Sequence, residues 1–216
     1  MTTEFPKAGA TNAVATRLPV LADAILAGPF AGKAVSGPAA KAFLVVVGSL
    51  LLAVSAQFKI PLYPVPVTGQ TLLVLLIGMA YGPRLGAATV AAYLLQGAVG
   101  LPVFAGGAFG LATLFGMTGG YLFGFLAAAF VMGWLAERGM GRTVISTVLA
   151  MLIGNLVIYL CGASWLAAFI GADKALAAGV LPFLYGDAVK LVVAAGLMPV
   201  AWRVVKAAQK SCGSCK

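Results

Sequence analysis

Six long apolar runs constrain the fold of this chain more than any other feature. They lie at Ala39–Gln57, Val67–Tyr81, Arg84–Val99, Thr118–Ala136, Thr143–Gly162 and Leu181–Val205. A helix needs about 20 apolar residues to cross the hydrocarbon core of a bilayer. The second and third runs are shorter, and short spans are tolerated where neighbouring helices or local bilayer thinning cover the deficit. The runs predict an all-α membrane protein with six transmembrane helices, although the second and third can also form one bent unit.

The scarcity of charge supports a membrane environment. Charged residues make up 9% of the 216 residues, whereas soluble domains carry about 25%. We therefore predict one membrane domain at residues 39–206, between an N-terminal tail at 1–38 and a C-terminal tail at 207–216. Within the first tail, Arg17–Ala27 has the character of a short interfacial helix and is too short to span.

The distribution of Lys and Arg predicts that both termini are cytoplasmic. With the N-terminus inside, the outside loops hold only Lys59 and Lys174, and Lys190 falls within the sixth run. The remaining eleven are on the inside: Lys7, Arg17, Lys33, Lys41, Arg84, Arg138, Arg142, Arg203, Lys206, Lys210 and Lys216. This is the asymmetry of the positive-inside rule. It accounts for the net charge of +9 without a nucleic-acid partner. The expected partner of the helix surface is membrane lipid.

Two predicted outside loops have unusual composition. Ile60–Gln70 (IPLYPVPVTGQ) contains three prolines, and Gly100–Met117 contains five glycines and no charge. An uncharged Gly-rich segment is not a simple solvated connector. We expect it to fold back over the helices as a lid or re-entrant segment, because irregular backbone is tolerated at membrane depth where it lines a cavity.

The sixth run contains an acid and a base. Asp187 and Lys190 are three residues apart and share a helix face. A charge within a span costs about 2.5–3.5 kcal/mol on insertion scales, and persists where it is paired or lines a polar cavity. The two residues are therefore candidates for ligand binding. The alternatives are a self-paired bridge, or a helix that begins nearer Asp187 and leaves both charges at the surface.

Other polar residues near the outer face are further candidates. Asn155 lies in the outer half of the fifth run with Tyr159 one turn further out, and an amide in a span serves an interhelical hydrogen bond as readily as a ligand. Thr68 and Gln70 either cap the second helix or face a pocket.

Tyr121 and Phe104 are aromatic residues near the same face, where an aromatic belt is the alternative to a pocket wall.

Missing features exclude several kinds of function. The chain has no histidine, which excludes Ser-His or Cys-His nucleophilic catalysis and histidine metal sites. The stretch nearest to a P-loop, Ala27–Ala34, lacks the first glycine and the final Ser or Thr. Cys161 lies in an apolar run, and the CxxC pair Cys212 and Cys215 at the chain end is weak evidence for a metal or redox site. An intramembrane enzyme is disfavoured, and we predict no catalytic residues and no metal.

Four segments resemble a known family. They are IPLYPVPVTGQTL (Ile60–Leu72), YGPRLGAATVAAYLLQGAVGLPVFAGG (Tyr81–Gly107), TGGYLFGF (Thr118–Phe125) and GDAVK (Gly186–Lys190). They resemble the BioY family, the biotin-binding S-components of energy-coupling-factor (ECF) transporters. The resemblance runs in order from Ala39 to Val205. Two departures are Met117, where the family usually has proline, and Ser49 with Ala53, where S-components often have an AxxxA pattern on the first helix.

The resemblance implies a six-helix S-component fold that binds biotin on the extracytoplasmic side, beneath the loop between the first two helices. Biotin is then the transported ligand and no cofactor is bound covalently. The implied partners are a transmembrane coupling (T) subunit and ATPase subunits, and only these subunits use ATP. The remaining alternative is an S-component or small carrier for a different vitamin.

The resemblance also implies site residues. Asp187 and Lys190 match the family's acidic and basic positions in the last helix. The loop around Phe104, Gly106 and Gly107 and the segment with Tyr121 match its pocket walls. A mostly apolar pocket with one carboxylate and one ammonium suits biotin. The two charges are adjacent whereas the ends of biotin are far apart, so either side chain can serve either end.

Overall fold

The fold is helical apart from one small ribbon. The computed structural model describes residues 18–26 and 37–213. Over these residues the helices are α1 Leu21–Leu26, α2 Pro38–Gln57, α3 Gln70–Tyr81, α4 Pro83–Ala98, α5 Leu111–Leu114, α6 Gly119–Glu137, α7 Val144–Ile170, α8 Ala172–Gly179 and α9 Leu181–Gly213. Most of the predicted N-terminal tail, with Lys7, Arg17 and Lys33, lies outside the described residues, as do Cys215 and Lys216.

Each predicted apolar run overlaps one helix of 12 or more residues in the described part of the chain. Within the described residues, four stretches are long and apolar enough to cross a membrane: α2, α6, α7 and the continuous stretch Ala172–Ala207 that includes α8 and most of α9. Helix α3 is apolar but has 12 residues, and α4 has 16. The chain is therefore a multi-pass membrane protein, in which α3 and α4 are too short to span on their own length.

Three predicted boundaries were wrong. Helix α3 begins at Gln70 and not at Val67, because Val67–Thr68 pairs antiparallel with Lys59–Ile60, with Lys59 opposite Thr68. Helix α7 continues to Ile170 instead of ending at Gly162, and Gly171 at φ 85° ends it. Helix α9 continues past Val205 into the predicted C-terminal tail.

Small residues let the helices approach closely around α6, which packs against α3, α4 and α7. A Cβ added at Gly78 on α3 would lie 2.6 Å from the carbonyl oxygen of Ala129 on α6. A Cβ at Gly133 on α6 would lie 2.2 Å from the backbone of the α3–α4 turn at Gly82. A Cβ at Gly124 on α6 would lie 3.2 Å from the backbone of Ile158 on α7, which is a tight contact. These contacts show internal packing by small residues on the helices.

Residues Leu18–Leu26, here called the N-terminal strap, pack on the end of the bundle opposite the ribbon. The backbone N–H of Leu18 donates to the carbonyl of Glu137 at 3.0 Å, and Arg142 Nη2 donates to the carbonyl of Pro19 at 3.1 Å. Val20 is buried against Gly82. A helix therefore forms inside the segment predicted to be interfacial, and its alanines are buried against α3 and α9 of the same chain.

Candidate ligand-binding site

A cavity of about 250 Å³ lies between the helices, the segment after the ribbon's first strand and the loop that joins α4 to α6. Its lining is apolar and aromatic with a few hydroxyl and amide groups, and the lining residues carry no charge. They are Val65, Pro66, Thr68, Gln70, Thr71, Phe104, Ala105, Ala108, Thr113, Thr118, Tyr121, Leu122, Phe125 and Phe183. A concave apolar surface with a few placed polar groups is typical of a small-molecule site.

The loop between α4 and α6 forms one wall of the cavity. It contains a single 3₁₀ turn at Ala105–Gly107, in which Gly106 has φ 69° and Gly107 has φ 78°. Only glycine adopts such values without steric cost. Phe104 is 1% exposed, and a Cβ at Gly97 would lie 2.0 Å from its ring. The missing side chain at Gly97 therefore provides the space that the Phe104 ring fills.

A neutral hydrogen-bond network, here called the amide network, joins the cavity wall to that loop. The Thr68 hydroxyl donates to Gln70 Oε1 at 3.1 Å and accepts from the Gln70 backbone N–H at 3.4 Å. Gln70 Nε2 donates to the Tyr93 hydroxyl, which donates to the carbonyl of Val103 at 3.0 Å. Thr68 and Gln70 thus both order the start of α3 and face the cavity. The network ends on a backbone carbonyl, so each member has a partner.

Aromatic rings form the wall towards α7 and α9. Tyr121 is buried, stacks on Phe183 with ring centroids 5.9 Å apart, and donates its hydroxyl to the carbonyl of Gly179 at 2.7 Å. Phe183 also meets Tyr159 edge to face. Because the Tyr121 ring is buried and its hydroxyl has a partner within the protein, the ring lies inside the bundle and not in a belt at the membrane surface.

An ion pair lies next to the cavity and is called here the charged cluster. Lys190 Nζ is 3.1 Å from Asp187 Oδ1 and donates to Thr71 Oγ1 at 2.7 Å. The Tyr159 hydroxyl donates to Asp187 Oδ2. Asp187 is only 6% exposed. Each carboxylate oxygen thus has a donor, which a buried charge requires. Thr71 is the member that the cluster shares with the cavity wall.

The structure divides the predicted site residues into two groups. Four of them line the cavity: Thr68, Gln70, Phe104 and Tyr121. Asn155, Tyr159 and Asp187 instead line a groove between α7 and α9. Lys190 links Asp187 to Thr71 at the cavity wall, and Gly106 and Gly107 shape the loop without lining the cavity. Within the described residues, the Asn155 amide has no hydrogen-bond partner.

Several cavity residues were not predicted from the sequence, although two carry a usable signal. Phe125 lies four residues after Tyr121 on α6, and Phe183 lies four residues before Asp187 on α9. Residues four apart share a helix face, so each could have been found by extending a predicted position by one turn. Thr71 follows Gln70 directly, and spacing alone does not show that two adjacent polar residues both reach the site.

Comparisons with known proteins agree with this architecture. A sequence model of the BioY family matches residues 25–207. The chain is 44% identical over 151 residues to the probable biotin transporter BioY of Pyrococcus horikoshii, an alignment that covers 70% of this chain and 89% of that protein. It is also 44% identical over 147 residues to the biotin transporter BioY of Thermotoga maritima, covering 67% and 85%.

A solved structure shows the same fold. The crystal structure of the S-component for biotin from an ECF-type ABC transporter matches with a TM-score of 0.69 at 24% identity, covering 76% of this chain and 92% of that one. The family match and the two relatives together extend over most of the chain. This chain belongs to the BioY family.

Proposed function

We propose that this protein captures biotin at the outer face of the inner membrane and takes it into the cell, as the substrate-binding subunit of an ATP-driven ECF-type importer. The observation that carries the proposal is the uncharged cavity under the loops with a buried ion pair at its wall, in a chain of the BioY family. The proposed role is binding and transport, not catalysis.

The cavity suits the chemistry of biotin. The fused ring and the hydrocarbon tail are apolar and fit against Phe104, Phe125 and Phe183. The ureido group offers two N–H donors and one acceptor. Polar side chains that line the cavity are available to it, among them Thr68, Gln70 and Thr71. The charged cluster lies directly behind Thr71. A hydrogen bond to a charged group contributes about 1.5–3 kcal/mol, so a ligand that reaches Asp187 or Lys190 gains more than one that meets hydroxyls alone.

We further propose six membrane spans with both termini in the cytoplasm. The support is the placement of Lys and Arg together with the four stretches long enough to span. Helices α3 and α4 would be short spans whose deficit is covered by their neighbours. This topology places the ribbon and the α4–α6 loop outside and the N-terminal strap inside. A membrane-impermeant thiol reagent added to intact cells should not label Cys212 or Cys215, and labelling before lysis would contradict the topology.

The energy source is proposed to be external to this chain. Its sequence has no P-loop, and concentrating a scarce vitamin requires work. The partners would be a transmembrane coupling subunit and ATPase subunits docked on the cytoplasmic face. Affinity purification from native membranes should recover an ATPase. Accumulation of biotin against a gradient by the protein alone in liposomes without nucleotide would contradict this part of the proposal.

Binding of radiolabelled biotin to the purified protein tests the central assignment. We expect saturable binding that unlabelled biotin displaces and that a panel of other water-soluble vitamins does not. Direct binding of a different vitamin, with no binding of biotin, would keep the transport role and change the substrate. If the correctly folded protein binds no vitamin, both the transport role and the assignment of biotin as substrate are contradicted.

A further inference from the structure

The two-stranded ribbon orients a lysine towards the cavity. In the antiparallel pair Lys59 lies directly opposite Thr68, and directly opposed side chains project from the same face of a ribbon. Thr68 is buried and lines the cavity. Lys59 therefore projects from the cavity-facing side of the ribbon, although it is exposed at the surface.

The Lys59 ammonium reaches the loop that closes the cavity. A Cβ built at Gly106 would lie 1.9 Å from Lys59 Nζ, so the ammonium occupies the place of the missing side chain. Ala105 precedes Gly106 in the loop and Ala108 lies two residues after it, and both alanines line the cavity. In the described part of the chain, Lys59 makes no ion pair and no hydrogen bond through Nζ. The loop beside the cavity thus carries an unpaired positive charge.

Neither Lys190 nor Lys174 places an unpaired ammonium next to the cavity. Lys190 Nζ is held between Asp187 and Thr71, where the carboxylate already neutralises it. Lys174 lines a separate surface groove with Tyr63 and Phe169. The cavity lining itself carries no charge. A ligand with an anionic end would therefore meet its unpaired cation where the ribbon touches the α4–α6 loop, and not at the buried ion pair.

We propose that Lys59 is the residue that selects the carboxylate of the ligand. This inference rests on the proposed function and gives the ligand a direction. The ring system lies towards Thr71 and the charged cluster, and the acid tail lies under the α4–α6 loop with its carboxylate at Lys59. On this assignment, neither member of the Asp187–Lys190 pair holds the carboxylate.

The expected effect is moderate because Lys59 is exposed. Exposed ion pairs contribute at most a small free energy, which corresponds to about fivefold in affinity. Salt screens charges at the surface more than buried ones. The discrimination by Lys59 should therefore decline as ionic strength rises, whereas a contact with the buried pair should not.

The test compares biotin with biotinamide, in which a carboxamide replaces the carboxylate, on the purified full-length chain. The parent should bind biotin about fivefold more tightly than biotinamide. Lys59→Met should weaken biotin about fivefold and leave biotinamide unchanged, so that the preference disappears. Lys59→Arg keeps the charge and should keep the preference. Lys174→Met is the matched control, because it removes the other outside lysine and should change neither affinity.

Three results would overturn the inference. If Lys59→Met weakens both ligands equally, the lysine supports the loop and does not read the carboxylate. If Lys59→Met changes nothing while Lys190→Met removes the preference, the buried lysine holds the acid. If the parent binds neither ligand, the proposed function fails and this inference fails with it. This failure can be told apart from the first two results, because in those the parent still binds biotin.

Discussion

The amide network and the charged cluster begin at adjacent residues of α3, and they provide hydrogen-bond partners for buried polar atoms in different ways. Gln70 leads into a neutral chain through Tyr93 that ends on the Val103 carbonyl. Thr71 leads into Lys190 and Asp187, which are charged. A neutral network loses little when one link is removed, because its remaining members keep partners. A buried ion pair loses much more, because one deletion leaves an unpaired charge.

The largest expected effect comes from breaking the ion pair on one side. Lys190→Met keeps the apolar stem, removes the cation and leaves Asp187 buried without it, so we expect a loss of about 3–5 kcal/mol of stability and at least a tenfold loss of biotin affinity, or about 1.4 kcal/mol. Thermal unfolding in detergent and radioligand binding measure the two losses. The control Lys174→Met should keep both the stability and the biotin affinity of the parent.

The double variant Asp187→Asn with Lys190→Met sharpens this prediction. It removes both charges together, so most of the stability lost in Lys190→Met should return while biotin affinity stays low. Recovery of stability without recovery of biotin affinity would show that the ion pair takes part in ligand binding. If both single variants fold and bind biotin like the parent, the pair is only a structural bridge and the site assignment is wrong.

Tyr159→Phe is expected to have the next largest effect. The Tyr159 hydroxyl is the donor to Asp187 Oδ2, and its removal leaves that buried oxygen without this donor at a cost of about 1–3 kcal/mol. The ring and its contact with Phe183 remain. Unfolding measurements should show a loss smaller than that of Lys190→Met. An unchanged stability would mean that water or lipid satisfies the carboxylate from the groove between α7 and α9.

Gln70→Leu breaks the amide network and should cost less. Hydrogen bonds between helices in membranes average about 0.6 kcal/mol, and Tyr93 keeps its bond to the Val103 carbonyl. We expect a loss of about 1 kcal/mol in stability. A loss as large as that of Lys190→Met would contradict the distinction between the two clusters.

The sequence predicts the helices of this fold better than the geometry of its site. Hydropathy locates α2, α3, α4, α6, α7 and α9. The assumption of a 20-residue span nevertheless ended α7 too early, since the sequence after Gly162 stays apolar up to the glycine that stops the helix. The ribbon was missed because its second strand has two residues between prolines and a helix. The i, i+3 spacing predicts the Asp187–Lys190 contact directly.

Contacts between distant segments were not predictable from spacing. Nothing in the pattern around Gly97 shows that it receives the ring of Phe104, or that Lys59 reaches Gly106. Likewise, the division of the predicted residues between the cavity and the α7–α9 groove depends on how α9 is rotated against α3. Helix periodicity places residues on a face of their own helix but does not say which neighbour that face meets.

The smallest effect on stability is expected for Thr71→Val, which is also the variant that most directly tests whether the two clusters act on one ligand. The substitution is close to isosteric and removes one hydroxyl, while the bond of 3.1 Å between Lys190 and Asp187 remains. Stability should therefore change by only about 0.6 kcal/mol.

Thr71 is, however, the member of the charged cluster that lines the cavity, so biotin affinity should fall several-fold if the ligand reaches the ion pair through this wall. Thr113→Val is the matched control, because Thr113 also lines the cavity but its hydroxyl donates to the backbone carbonyl of Phe109 and not to the charged cluster. If Thr71→Val and Thr113→Val lower biotin affinity to the same small extent, the ligand is held by cavity shape alone, and the charged cluster stabilises the fold without contributing to recognition.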